Sequence, residues 1–131
     1  MHYQFNIIRP AGLKPRPDKY EERVAELCAE YFQSDVAFVL RNNHTTPDIQ
    51  VTRMQQFWEI KNIKGGGKHT IEDNLRKASK QSRNIIISLL ATSKLDSNRV
   101  KGKIKSVLAT QRMPIDCVLL ITKTGKIIDI K

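Results

Sequence analysis

Apolar positions Tyr20, Val24, Leu27, Cys28 and Tyr31 recur at helical spacing behind Asp18, a residue suited to an N-cap, and predict a helix over 18–33. Beyond it the pattern changes to short apolar runs separated by polar or glycine-rich breaks. Strands are expected over 36–40, 50–51, 57–63, 85–90, 115–121 and 126–130, with a polar loop over 41–46. Met54, Gln55 and Gln56 make a short turn between the second and third of these strands, and Thr124-Gly125 turns the chain into the last. Gly65-Gly66-Gly67 ends the sheet run, and further helices are expected over 70–82 and 96–111. Thr70 opens the first of these, with Asp73 three positions on, close to a capping box.

Residues 1–17 hold Pro10, Gly12, Pro15 and Pro17 and read as an N-terminal arm, extended after a short strand over 3–8. Residues 18–131 then read as one domain. Its order of helix, three strands, helix, strand, helix and two strands is a mixed α/β plan, a central mixed sheet flanked by helices. A right-handed crossover through 70–82 would turn Leu75, Ala78 and Ser82 inward, and Lys77, Lys80 and Arg83 towards solvent or the site.

Charge narrows the partners. There are 23 Lys and Arg against 13 Asp and Glu, a net +10 on 131 residues, which favours a polyanion over a neutral ligand. A merely soluble basic protein is the plain alternative. No stretch is long and apolar enough to span a membrane, and the first residues lack a signal-peptide layout. Cys28 and Cys117 match no metal-binding spacing and read as buried free thiols.

The candidate chemistry lies in Pro47-Asp48, ten intervening residues, and Glu59-Ile60-Lys61. Side chains alternate along a strand, so Glu59 and Lys61 share one face while Ile60 enters the core. A hairpin would carry Asp48 towards them. Two converging carboxylates repel each other unless a cation lies between, and hard oxygen donors suit Mg²⁺ or Mn²⁺, with Zn²⁺ as a further option. Lys61 would then hold the attacking water or steady the phosphate as a point charge. Alone, Asp48 after Pro47 is equally a turn residue.

Asp48, Glu59 and Lys61 in this order resemble the PD-(D/E)XK nuclease signature. The likeness continues through Asn62-Ile63-Lys64, the segment from Asn74 to Ser82 and the strand Ile85-Ile86-Ile87, which together resemble the C-terminal tRNase domains of CdiA-type contact-dependent inhibition toxins. It covers roughly residues 18–121. The resemblance implies a PD-(D/E)XK-like core and a metal-dependent nuclease, with tRNA preferred to DNA on that ground alone. Asp48 and Glu59 would be metal ligands, and Gln81 would orient substrate or lysine unless it is a surface helix residue. The resemblance also implies a monomer delivered as the C-terminal part of a secreted toxin, acting in the cytoplasm and opposed by a cognate immunity protein.

Glu21 lies at the margin of the first helix's apolar stripe, where its carboxylate could reach the metal as a third ligand beside Asp48 and Glu59, and related nucleases often supply an acid from that helix; Glu22 is its competitor. An ordinary first-turn acid favoured by the helix dipole is the alternative for either. Lys64, Lys68 and His69 flank the glycine run, and with Lys77 and Lys80 are candidates for contact with a nucleic-acid backbone. His69, partnered by His44, would be a general acid if the reaction were metal-free, but both also read as loop histidines. Arg99, Lys101, Lys103, Lys105 and Arg112 cover more than one face of the last helix, so part of that set is simply solvated. Two alternatives remain open at this level: a DNase of the same fold, and a silent nucleic-acid-binding accessory protein of a phage or mobile element.

Overall fold

The computed structural model describes residues 4–41, 46–92 and 94–131. Its elements in order are β1 (Ile7–Ile8), α1 (Lys19–Phe32), β2 (Val36–Phe38), β3 (Ile49–Val51), β4 (Gln56–Asn62), α2 (Thr70–Ser79), β5 (Asn84–Ser88), α3 (Ser97–Thr110), β6 (Cys117–Ile121) and β7 (Ile127–Asp129). The strands form one seven-stranded mixed sheet in the order β1 to β7. β1 runs parallel to β2, β2 to β4 form an antiparallel meander, β4 to β6 are parallel, and β7 returns antiparallel to β6.

Alternation along the strands sorts the core into two layers. Trp58, Ile60, Ile86, Leu119 and Ile121 pack with Val24, Ala25, Cys28 and Ala29 of α1. Ile63, Ile85, Ile87, Val118 and Leu120 face the other way, against Leu75 and Ala78 of α2 and Val100, Ile104 and Val107 of α3. The sheet is therefore covered by α1 on one face and by α2 and α3 on the other. Cys28 is part of the first layer, its thiol pushed up to about 12 by burial. Cys117 is free but only half-buried, in contrast to the expected pair of buried thiols.

Several local expectations shift. The buried stripe of α1 runs through Ala25 and Ala29, which leaves Tyr31 44% exposed and turns Phe32 onto Trp58, ring centroids 5.6 Å apart. The bulkier residue lost to solvent because two alanines let the helix approach the sheet closely. α2 begins one residue earlier than a capping box at Thr70 and Asp73 requires. His69 is its N-cap and makes no side-chain cap, so Glu72 rather than Asp73 is the third helical residue. Asp73 instead faces Arg76 at 3.7 Å. The β3–β4 turn is a 3-10 turn at Thr52–Met54 closed by Gln55 in the left-handed region, φ 52°, and β4 already starts at Gln56.

The N-terminal arm contributes β1 to the sheet edge, with Phe5, Ile7 and Leu13 against the first core layer. Arg9 pairs with Glu22 and ties the arm to α1. α1 itself opens on a complete capping box. Asp18 accepts from the backbone N–H of Tyr20 at 2.9 Å and of Glu21 at 2.8 Å, while Glu21 Oε1 accepts from Asp18 N–H at 3.3 Å. Asp18→Ala is expected to cost about 1 kcal/mol in denaturant unfolding, the ordinary value of a lost N-cap. An unchanged midpoint would show that this cap is redundant.

Candidate active site

The site is built where β4 changes neighbours. Over 56–58 it pairs with β3, and over 59–62 with β5. β3 begins at Ile49, opposite Trp58, so the residue before it faces the start of the fork. That residue is Asp48. Its backbone N–H still donates to Trp58 O at 3.1 Å, but its side chain takes over the next rung: Ile60 N–H donates to Asp48 Oδ2 at 2.8 Å. The carboxylate thus satisfies a buried strand amide, which explains how a charged residue remains only 8% exposed.

Glu59 is 3% exposed, beside Asp48 across the fork. Its pKa is pushed up to about 9, first by burial and then by the charge and hydrogen bonding of Asp48, against the opposing pull of Lys61. Lys61 Nζ stands 3.5 Å from Glu59 Oε2, on the same face two residues along, as strand alternation requires. Among the described residues, Glu59 Oε1 is buried and has no hydrogen-bond partner. Ile60, between them, points into the α1 core.

Glu21 and Gln81 complete the notch, a cavity of about 350 Å³ that they line with Arg41, Thr46, Asp48, Glu59, Ile60 and Lys61. Glu21 arrives from the first turn of α1, where the capping box fixes it. Its competitor Glu22 turns instead to Arg9. Burial is the main cause of the raised Glu21 pKa. Gln81 lies just past α2 rather than on it, its N–H donating to Ala78 O at 2.9 Å. The turn is held against β4 by Ser82 Oγ and Asn84 Nδ2, which donate to Phe57 O at 3.1 and 3.0 Å. That anchorage brings Gln81 to the notch, and it leaves Ser82 half-buried at the entry to β5 rather than in the core.

Arg41 is the residue that sequence reasoning missed. Its Nη2 lies 3.1 Å from Glu21 Oε2 and 3.1 Å from Asp48 Oδ1, bridging the helix acid to the strand acid. Placed at the start of a polar loop, it carried no periodic or motif signal. A cation seven residues before Asp48 in a chain of this charge is unremarkable until the meander folds it back. The other candidates lie elsewhere. Lys64, Lys68 and His69 are exposed around the glycine run, and Lys77 and Lys80 are exposed on and at the end of α2. His69 Nδ1 is 3.7 Å from Glu72 Oε2 and does not line the notch. His44 lies outside the described residues.

As to a metal, among the described residues no three His, Cys, Asp or Glu side chains gather closely enough to form a ligand set by themselves. What fits a cation is the pair Asp48 and Glu59, one oxygen of which is buried without a partner and one carboxyl of which is held in its proton-bound form. Hard oxygen donors of this kind suit Mg²⁺ or Mn²⁺ with water filling the remaining positions.

A mixed α/β domain with an acid-rich notch at a strand fork is the class that fold and site define. The chain belongs to the family of contact-dependent growth inhibition CdiA C-terminal domains, whose family model matches residues 45–127. That span includes Asp48, Glu59, Lys61 and Gln81, and leaves Glu21 and Arg41 outside it. Among solved structures the fold is similar to a chain of the CdiA-CT/CdiI toxin and immunity complex from Burkholderia pseudomallei, with a TM-score of 0.64 and 19% identity over 96% of this chain and 98% of that one. No curated protein matches. Among the described residues, no helix is long and apolar enough to cross a membrane.

Proposed function

We propose that this toxin-family domain is a PD-(D/E)XK-like, metal-dependent nuclease that hydrolyses phosphodiester bonds in RNA, with tRNA as the preferred class. The observation that carries this reading is the buried Asp48–Glu59 pair with Lys61 Nζ 3.5 Å from Glu59, all facing one notch. Asp48's bond to the Ile60 N–H explains one of these acids but not the other beside it, since burial and mutual charge raise the energy of the pair's ionised form. The pair makes chemical sense as a holder for a cation next to a phosphate.

In this reading Asp48 and Glu59 hold the ion, which when bound lowers the pKa of a water and offsets charge on the phosphate. Lys61 presents its ammonium to the attacked phosphate, where a point charge stabilises the developing negative charge. Arg41 holds the Asp48 carboxylate in place from the solvent side, and Glu21 holds Arg41. Gln81 lines the same notch and would orient Lys61 or a phosphate oxygen. Preference for RNA over DNA follows from the resemblance to toxin-type tRNases, and the basic surface suits either. The immunity protein in the complex named above supports a cognate partner for this chain as well.

The reading is tested by incubating the protein and its Lys61→Ala variant with total tRNA and with plasmid DNA, each with Mg²⁺ and with excess EDTA. Cleavage of tRNA alone, abolished by EDTA and reduced at least a hundredfold in the variant, is the expected result. Cleavage of plasmid alone would make it a DNase, and cleavage of neither would return the domain to a binding role.

A further inference from the structure

A second concave surface opens at the far end of α2. It is a cavity of about 520 Å³ between the glycine run and the start of α3, lined by Gly66, Gly67, Lys68, Lys94, Arg99 and Lys103 over an apolar floor of Ile71, Leu95 and Val100. Four cations from two separate segments converge there against one carboxylate, Asp96. That carboxylate is already committed, accepting from Arg99 N–H at 3.0 Å as the N-cap of α3. Among the described residues none of the four cations makes an ion pair, whereas Arg9, Arg23, Arg41, Arg76 and Arg83 all do. Like charges gathered on a concave surface repel each other and raise the local potential, so the surface is complementary to a polyanion.

Geometry ties this cleft to the notch. Ile71, in the first turn of α2, lies in its floor, and Gln81, just past the end of the same helix, lines the notch. Ile71 and Gln81 are ten positions apart, most of them helical, about 15 Å at 1.5 Å per residue. Exposed Lys77 and Lys80 lie one turn apart on the stretch between.

We propose that the Lys68–Lys94–Arg99–Lys103 cleft is a second nucleic-acid subsite that grips the phosphate backbone of the chain whose scissile bond enters the notch. The inference rests on the nuclease reading for the identity of the polyanion, and on the uncompensated charge for the binding. Lysine and arginine stems pack on the apolar floor while their heads meet phosphate oxygens. Such contacts add affinity and salt dependence without choosing a sequence.

The test measures binding of fluorescently labelled total tRNA by anisotropy across a salt series, on an Asp48→Asn background so that nothing is cut. The triple variant Lys94→Ala, Arg99→Ala, Lys103→Ala is compared with a charge-matched control, Lys101→Ala, Lys105→Ala, Arg112→Ala, taken from α3 and the chain just after it but outside the cleft. All three cleft residues are exposed, and circular dichroism checks that both variants fold. The expected result is a salt slope of log affinity lower by about 2 to 3 in the cleft variant and affinity reduced roughly tenfold or more, with a smaller change in the control. Equal losses in both variants would overturn the subsite, because net charge alone would account for binding. An unchanged cleft variant would also overturn it and would leave the cleft to an acidic protein partner. Because no cleavage is measured, failure of the wild type to cut tRNA counts against the notch and not against the cleft.

Discussion

Asp48→Ala is expected to abolish cleavage, by on the order of a thousandfold or more, and to destabilise the fold, whereas Asp48→Asn abolishes cleavage with little loss of stability. The two variants separate the two uses of one side chain. The carboxylate's catalytic use needs negative charge towards the notch, and either substitution removes it. Its main structural use is as an acceptor for the Ile60 N–H at 2.8 Å, which asparagine's carbonyl oxygen supplies and alanine does not; asparagine gives up the partly exposed Arg41 pair but also relieves the charge repulsion with Glu59. A buried amide left without a partner costs about 1–3 kcal/mol. Denaturant unfolding of both variants beside a tRNA cleavage assay checks this. An active Asp48→Asn variant would remove Asp48 from the chemistry and leave it a strand-fork residue only.

The second large effect concerns Glu59, where function and stability pull in opposite directions. Its carboxyl binds its proton up to about pH 9 in the folded protein, against an ordinary value of 4.5 in the unfolded chain. Between those values the folded state holds a proton that the unfolded state has lost. Stability contributed by this group is therefore complete below pH 4.5 and falls as pH rises towards 9. Glu59→Gln is uncharged throughout, so it should flatten that decline and leave the variant more stable than the wild type near pH 8, while ending catalysis. Mg²⁺ at about tenfold its Kd should stabilise the wild type by about 1.4 kcal/mol at the same pH, and the Gln variant by much less. Thermal melts at pH 5 and pH 8, with and without Mg²⁺, carry both readouts. A Glu59→Gln variant less stable than wild type at pH 8 would show that the Lys61 ion pair outweighs the burial of charge.

The element order, the three-strand meander and both crossover helices were legible because their apolar periods are long or sharply bounded. Ile85-Ile86-Ile87 and Val118-Leu119-Leu120 are apolar on successive positions, the mark of strands covered on both faces, and both pack between the two helical layers. Boundaries were less legible. Leu40, read as strand, is 42% exposed beyond the end of β2, and the α1 stripe was assigned to Tyr31 rather than to Ala29. Size misled there, since alanine is what close helix–sheet packing selects. Asp48, Glu59 and Lys61 were legible as a group because two of them lie within one strand and the third just precedes its antiparallel partner. Glu21 was separable from Glu22 only through the angle around the helix. Arg41 was not legible, because its role depends on two acids 20 residues before it and 7 residues after it coming together in space.

The change of neighbours in β4 also divides the order in which the site can come into being. Asp48 is fixed against Trp58 by a meander of consecutive strands, whose contacts are short in sequence and close early in a folding chain. Glu59 and Lys61 pair opposite Ile85 and Ile87, and Gln81 is set by the turn before β5, so all three await a helical crossover and a parallel pairing that close later. A chain stopped at the meander holds Asp48 but not the strand that fixes Glu59 and Lys61 beside it. The reactive surface is thus a late product of folding, assembled only when the two halves of the sheet have met along a single strand.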